Sequence, residues 1–482
     1  MRRKIYRLNH MYSFYLGIQK VVDAYTTFIN SEKGLSVKQT LKLTDIIAVG
    51  FMLFAFFLGA GNIIFPPLAG QLAGDHLMPA MFGFLLTAVG LPLITIVAIA
   101  VAGGSWDHLT QDLPKKAAVL MAALIFIIIG PAFAAPRTGL VAYEMAIKPF
   151  FLDASQAHLT SFSILFFAVA MAFAWFQGRL IDLIGKVLTP VLFLGLVVLA
   201  IAVFVDPQGE MMGAHGEYLT QPLTKGFLEG YNTMDTFASL MFGMLMVDAL
   251  RSKGITERAA TTKYLICAGC IAAAGLAFVY ISLFYLGATS ATIAAGADNG
   301  GAVLSQYVQA LFGPYGQIVL SIIVLLACLT TAIGLISACS DFFSSKTKLT
   351  YKQWVIKLTY KQWVIINGAA CALIANVGLA QLISLSVPVL FALYPVAVAL
   401  VALTFVRSKL PNPRVAYRSV LLVSLLFALI DAAKVAGLDV SAFDMLPLFE
   451  VGMGWVLPTF AAIVCMFFVA KSSQPELTEE AA

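Results

Sequence analysis

Two short polar runs sit inside long apolar stretches and carry the residue types that bind small charged solutes. The first reads Gly59-Ala60-Gly61-Asn62-Ile63-Ile64-Phe65-Pro66-Pro67. Paired glycines let a helix unwind, and two prolines withhold amide donors on its far side. Asn62 can satisfy the backbone groups so released. The second, from Glu229 to Ser239, places asparagine, threonines and Asp235 in one otherwise hydrophobic segment. In hydrocarbon such a run is costly unless it lines a cavity. Carbonyls freed at a break can hold a cation, and the amino end of the resuming half-helix attracts an anionic group. A plainer reading of the first run alone is close helix packing through small residues. The matched pair of breaks argues against it.

A third run, Cys328-Leu329-Thr330-Thr331-Ala332-Ile333-Gly334, sets two hydroxyls side by side. Adjacent hydroxyls with carbonyls of a nearby unwound helix make an all-oxygen site suited to a small hard cation such as sodium. They can equally bond back to carbonyls of their own helix. Asp235 is the ionisable group placed deepest. Arg137, in Gly130-Pro131-Ala132-Phe133-Ala134-Ala135-Pro136-Arg137, is a lone cation within an apolar segment. It needs a partner or a water-filled cavity. It either receives a carboxylate or pairs with Glu144 at the outer rim, and the pairing is the favoured expectation. Asp182, Asp248, Asp341 and Asp431 fall near segment ends and read as solvated. Ser384 to Pro388 and Tyr394-Pro395 are expected to kink their helix, where a gate could act.

Six cysteines lie within apolar runs and read as packing residues, including the Cys267–Cys270 pair. The five histidines, His10, His76, His108, His158 and His215, stand outside those runs. Neither metal chemistry nor a disulfide framework is indicated, and no resident cofactor is expected.

The elements that must position these residues follow from composition. The chain has 482 residues, of which 60% are hydrophobic and 11% charged. A soluble chain carries about 25% charged residues, so most of this surface must face lipid, and the net charge of +5 says nothing of nucleic acid. Apolar runs long enough to cross a bilayer fall near 44–72, 78–103, 117–145, 161–178, 186–206, 227–249, 263–288, 314–343, 362–379, 380–406, 417–434 and 450–470. This describes an all-α membrane protein of about twelve transmembrane helices. The alternating ten-residue segments of a barrel are missing. With both termini on one side, 26 of the 30 Lys and Arg share that side and three lie opposite. The bias sets both termini in the cytoplasm. The two broken segments are first and sixth, equivalent places in a five-plus-five inverted repeat. Repeat one covers about 44–206, repeat two about 227–406, and 417–470 forms two peripheral helices.

Two features stand apart. Residues 348–356 read KLTYKQWVI, and 357–365 repeat them letter for letter. Nine extra residues would turn a continuous helix by half a turn, whereas loops tolerate insertion, so one copy is expected in the loop. Residues 1–37 form a mixed polar and aromatic cytoplasmic extension without a signal-peptide core, and read as dispensable beside a transporter domain at 38–475 and a cytoplasmic tail at 476–482.

At LTDIIAVGF, GAGNIIFPP, Val89 to Pro92, Gly130 to Thr138, Gly230 to Thr236, Asn299-Gly300 and Cys328 to Gly334, the sequence resembles the bacterial branched-chain amino acid:cation symporters. The resemblance runs over about residues 38–470. It implies a LeuT-like fold of ten core helices plus two, in the bacterial inner membrane, importing leucine, isoleucine and valine with Na+ (or H+) as coupling ion. Carried across, Gly59, Gly61 and Asn62 would receive the substrate carboxylate. Thr233, Asp235 and Phe237 would line the second break, with Asp235 meeting the substrate ammonium or a second cation. Backbone carbonyls of Ala55 and Leu58 with Thr330 and Thr331 hydroxyls would form a sodium site. The departures are the extension and the duplication.

Other classes fit less well. A channel would show filter loops or charged rings. An enzyme would show a nucleophile–base pair or metal motif. The alternative within transport is H+-coupled movement of another small amino acid or related solute. Lipid and small solute are the partners indicated, and no obligate protein partner is inferred.

Overall fold

The computed structural model describes residues 40–151, 155–176, 181–346, 349–351, 354–356 and 358–469. The extension at 1–37 and the tail at 476–482 lie outside the described residues.

Each apolar run of the sequence holds a helix. In chain order these are α1 (Leu43–Phe57), α2 (Ala60–Ala73), α3 (77–102), α4 (Lys115–Phe150), α5 (Gln156–Ala174), α6 (181–205), α7 (Pro222–Thr233) and α8 (Asp235–Ser252). There follow α9 (Arg258–Ala288), α10 (Gly300–Lys346), α11 (Tyr360–Ile374), α12 (Leu379–Val406), α13 (Pro413–Val435) and α14 (Val456–Met466). Among the described residues eight helical runs are long and apolar enough to cross a bilayer, and the α7–α8 pair, bent by 43°, makes a ninth. Those runs join α2 to α3; α1 and α14 are shorter apolar helices. Twelve segments result when α1–α2 and α7–α8 each count as one broken span. Large side chains such as Leu194 (65% exposed) and Ile201 (57%) stand uncovered along α6. A surface of this kind is stable against hydrocarbon, not water, and the chain is an integral membrane protein.

Packing partners exchange as an inverted repeat requires. The broken span α1–α2 lies against α9, the second helix of the other half, while α7–α8 lies against α3. The third helices, α4 and α10, meet each other, as do the fourth, α5 and α11. α1 packs on α6, and α8 on α12. Two of these approaches need glycine. A Cβ on Gly70 would run into the Phe284 carbonyl, and one on Gly83 into the Leu223 carbonyl. α13 and α14 pair beside α12 at the edge of this core.

The duplication divides between two structures. In the first copy, β1 (Leu349–Tyr351) pairs antiparallel with β2 (Trp354–Ile356). The second copy opens α11, where Thr359 caps the helix by accepting from the Gln362 amide. One copy therefore lies in the loop, as a loop's tolerance of insertion leads one to expect. Lys348, Lys352, Gln353 and Lys357 of the repeat are outside the described residues.

Candidate functional site

The first break is short. α1 ends at Phe57, Leu58 turns to ψ 76° and Gly59 is extended at φ −109°, ψ −163°. α2 restarts at Ala60, and the Asn62 side chain folds back so that its Oδ1 accepts the Gly59 amide at 3.3 Å. The helix thus satisfies one of its orphan amino-end donors itself. Pro66 and Pro67 stand further along α2.

The second break turns on one residue. α7 tightens into a last turn at Gly230–Thr233, and Met234 adopts the left-handed conformation, φ 64°. For a residue with a Cβ this costs about 1–2 kcal/mol, so neighbours must hold it. Thr233 Oγ1 donates to the Gly230 carbonyl at 2.9 Å. From α12, the Tyr394 hydroxyl donates to Thr236 Oγ1 at 2.7 Å and accepts the Thr236 amide at 3.3 Å. Its ring stacks on Tyr231, centroids 4.2 Å apart.

The two breaks meet. Asn62 Nδ2 donates to Asp235 Oδ2 at 2.6 Å, and the Tyr280 hydroxyl, from α9, donates to the same oxygen at 3.0 Å. Asn62 Nδ2 also donates to the Tyr280 hydroxyl. All three side chains are buried. Gly59, Gly61, Asn62, Thr233 and Asp235 line one cavity of about 20 Å³, closed by apolar residues including Phe57, Ile129 and Phe242. That volume suits roughly one water, so an amino acid enters only if the walls part. Phe237 is not brought to this cavity: it is buried behind the break, edge-on to Tyr394 at 5.0 Å.

Beside the first break, Thr331 Oγ1 donates to the Ala55 carbonyl at 3.1 Å. Thr330 Oγ1 divides one proton between Ala55 at 3.3 Å and Ala327, in its own helix, at 3.0 Å. Thr331 therefore reaches across to α1, while Thr330 partly bonds back. The Leu58 carbonyl, one residue before Gly59, accepts no hydrogen bond among the described residues. Three of these oxygens are thus adjacent, and the fourth stands apart from them in the hydrogen-bonding pattern.

Several expectations need correction. Glu144 pairs with Lys148 at 2.7 Å, not with Arg137. Arg137 follows a disruption at Gly130, ψ −117°, and Pro131, which swings the next turn of α4 inward. It donates from Nη1 to the Asn232 carbonyl at 2.9 Å and lies 5.4 Å over the Phe65 ring. Asp431 is not solvated: it is fully buried and accepts the amides of Gly454 at 3.2 Å and Trp455 at 3.1 Å. α12 runs unbroken from Leu379 to Val406 with Pro388 and Pro395 inside it, so these prolines do not end the helix where the kink was expected. Asp248 does fit the solvated reading, half exposed and paired with Arg251. The side chain of Asp182 is outside the description. Among the described residues no group of His, Cys, Asp and Glu could hold a metal ion.

Tyr280 is the site residue that sequence reasoning missed, and Tyr394, expected only at a kink beside Pro395, instead braces the second break through its hydroxyl. Each sits in an apolar run where an aromatic side chain signals packing only. A second cavity of about 170 Å³ begins further along α8, lined by Met241, Met244 and Asp248 with Ala338 and Asp341 of α10. A larger apolar groove between α6 and α10, about 260 Å³, is lined by residues including Val198, Phe312 and Ile323 and shares none of them with the cavity at the breaks.

Two helices broken at equivalent places of an inverted repeat, with breaks in contact, define a LeuT-like secondary-transporter fold. In agreement, a Na+-coupled sialic acid symporter, solved with substrate in an outward-open state, superposes with a TM-score of 0.61 over 89% of this chain and 91% of its own, at 13% identity. A family profile described as branched-chain amino acid transport protein matches residues 42–473. The chain is 47% identical to the branched-chain amino acid transport system 2 carrier protein of Pseudomonas aeruginosa, covering 88% of this chain and 95% of that one. It is 40% identical to the branched-chain amino acid permease BrnQ of Escherichia coli K12, covering 92% and 99%. The chain belongs to the branched-chain amino acid transport family.

Proposed function

We propose that this protein imports leucine, isoleucine and valine by alternating access, coupled to Na+. The observation that carries the reading is the junction of the two breaks, Asn62 on Asp235 at 2.6 Å. It places the amino end of α2 and a buried carboxylate on one small cavity. The substrate carboxylate would lie toward the first turn of α2, around Gly61, where the helix dipole favours negative charge. Its ammonium would face Asp235. Ile129, Phe242 and Leu335 supply apolar walls for an aliphatic side chain. Such walls separate side chains differing by one methylene by only about 1–3 kcal/mol, which suits three similar substrates.

For the ion, Thr330 and Thr331 already converge on the Ala55 carbonyl. With their protons turned away, both hydroxyl oxygens and that carbonyl would face Na+, and the Leu58 carbonyl would complete the set. Sodium held there would fix α1 to α10 across the first break. The alternative coupling ion is H+, favoured by one feature: Asp235 is a buried carboxylate, and the Tyr280 hydroxyl beside it can donate to the ionised form or accept from the protonated one. The cavity on α8 below Met241 is the route by which substrate leaves. The basic-residue bias supports a cytoplasmic position for that side in a bacterial inner membrane. Residues 1–37 precede the family match and are assigned no part in this cycle, so a chain starting at Val37 should transport as the whole chain does.

The test is uptake of labelled leucine into proteoliposomes with an inward Na+ gradient, an inward H+ gradient, both or neither. Uptake driven by Na+ alone supports the reading. Uptake driven by H+ alone moves coupling to Asp235, and uptake indifferent to both removes ion coupling.

A further inference from the structure

One buried charge has no place in the cycle just described. Arg137 is 3% exposed and faces the cavity that Gly61 and Asp235 also line. It takes part in no ion pair among the described residues. Its Nη1 is satisfied by the Asn232 carbonyl, but its Nε, also buried, has no hydrogen-bond partner among the described residues. The guanidinium sits close against α2: a Cβ on Gly61 would come within 2.8 Å of Nη2. Burying an ion costs several kcal/mol when no partner compensates it, and an intramembrane cation persists where a ligand or counter-ion serves it. Phe65 offers only a ring face to the cation.

The same cavity holds one anion, Asp235, whose Oδ2 is engaged by Asn62 and Tyr280 and not by Arg137. One cation and one anion, on separate helices and not paired with each other, are complementary to a zwitterion. The fork of a guanidinium, with Nε and Nη2 side by side, matches the two oxygens of a carboxylate.

We infer that Arg137 is the receptor for the substrate α-carboxylate, gripping it through Nε and Nη2 beside Gly61 while Asp235 faces the α-ammonium. The inference rests on the amino-acid reading above and deepens it: the site selects intact α-amino acids and rejects amines, amides and alcohols of the same side chain. Because Arg137 also holds the Asn232 carbonyl at the end of α7, a bound carboxylate would act on both broken spans at once.

Competition against labelled leucine on the reconstituted full chain tests this, with leucinamide, leucinol and 3-methylbutylamine as probes that keep the side chain and lose the carboxylate. In the wild type each probe should compete about 30-fold or more weakly than leucine, the loss expected when a buried charge is left unpaired. Arg137→Gln should weaken leucine to the level of the probes without weakening the probes themselves. Arg137→Lys, which keeps the charge and loses the fork, should retain the preference at reduced affinity. Should Arg137→Gln fail to fold, the wild-type and Arg137→Lys panels still decide. Leucinamide competing within about threefold of leucine overturns the inference, as does an Arg137→Gln protein that keeps both affinity and preference. Wild-type protein that ignores leucine, isoleucine and valine contradicts the substrate reading and this inference with it. Leucine binding that survives unchanged in Arg137→Gln contradicts the inference alone.

Discussion

Asn62 and Asp235, 173 residues apart in sequence, share a 2.6 Å hydrogen bond that joins the break in α1–α2 to the break in α7–α8. Asn62 also takes the Gly59 amide, so one carboxamide serves the backbone of its own helix and the carboxylate of another. Any movement of one broken span is felt by the other through this contact.

Asp235→Asn keeps the shape and removes the charge. Leucine affinity should fall about 10- to 100-fold, the scale of a hydrogen bond to a charged group, with normal expression. Equilibrium binding in detergent measures it, and unchanged affinity would remove Asp235 from the ammonium site.

Thr331→Val keeps the volume and deletes the hydroxyl that crosses to Ala55. The half-saturating Na+ concentration for uptake should rise about tenfold, equivalent to about 1.4 kcal/mol, while saturating leucine uptake at high Na+ persists. The matching change at Thr330 should have a smaller effect, because that hydroxyl is partly committed to Ala327. Equal effects would show that the two oxygens are equivalent.

A Cβ on Gly59 would stand 2.9 Å from Thr331 Cγ2 and 3.0 Å from its Oγ1. Gly59→Ala should therefore push Thr331 off the Ala55 carbonyl and weaken the response to Na+. Thr331→Ser, which sheds the methyl and keeps the hydroxyl, should restore part of it in the double variant. If the double variant is no better than Gly59→Ala alone, the contact does not set the site.

Much of this arrangement was legible in the sequence, for physical reasons. Glycines and prolines announce where a helix gives way, and a polar run in an apolar segment announces a cavity, so both breaks and the Thr330–Thr331 pair stood out. What failed to stand out were partners without a side-chain signature. Arg137 bonds to a main-chain carbonyl at Asn232, which no residue type marks, so the nearby Glu144 looked like its counter-ion. Asp431 was misjudged for the same reason, its partners being two backbone amides in the turn before α14. Tyr280 was invisible, and the hydroxyl role of Tyr394 with it, because a tyrosine in an apolar run reads as packing until its hydroxyl is placed.

Asp431→Ala tests the part of the fold that lies away from the site. Leaving the Gly454 and Trp455 amides unpaired should cost about 1–3 kcal/mol, lowering the thermal unfolding midpoint of the purified protein. Leucine affinity should stay the same. A loss of affinity without a loss of stability would place α13 and α14 in the transport machinery.

If the meeting breaks bind an amino acid together with Na+, binding of labelled leucine to the purified protein must depend on the Na+ concentration. Leucine affinity should rise steeply with Na+, should not be supported by K+ or choline, and in Thr331→Val should need about tenfold more Na+ for the same rise. Leucine affinity that is the same in Na+ and choline, with Thr331→Val indistinguishable from wild type, would contradict it.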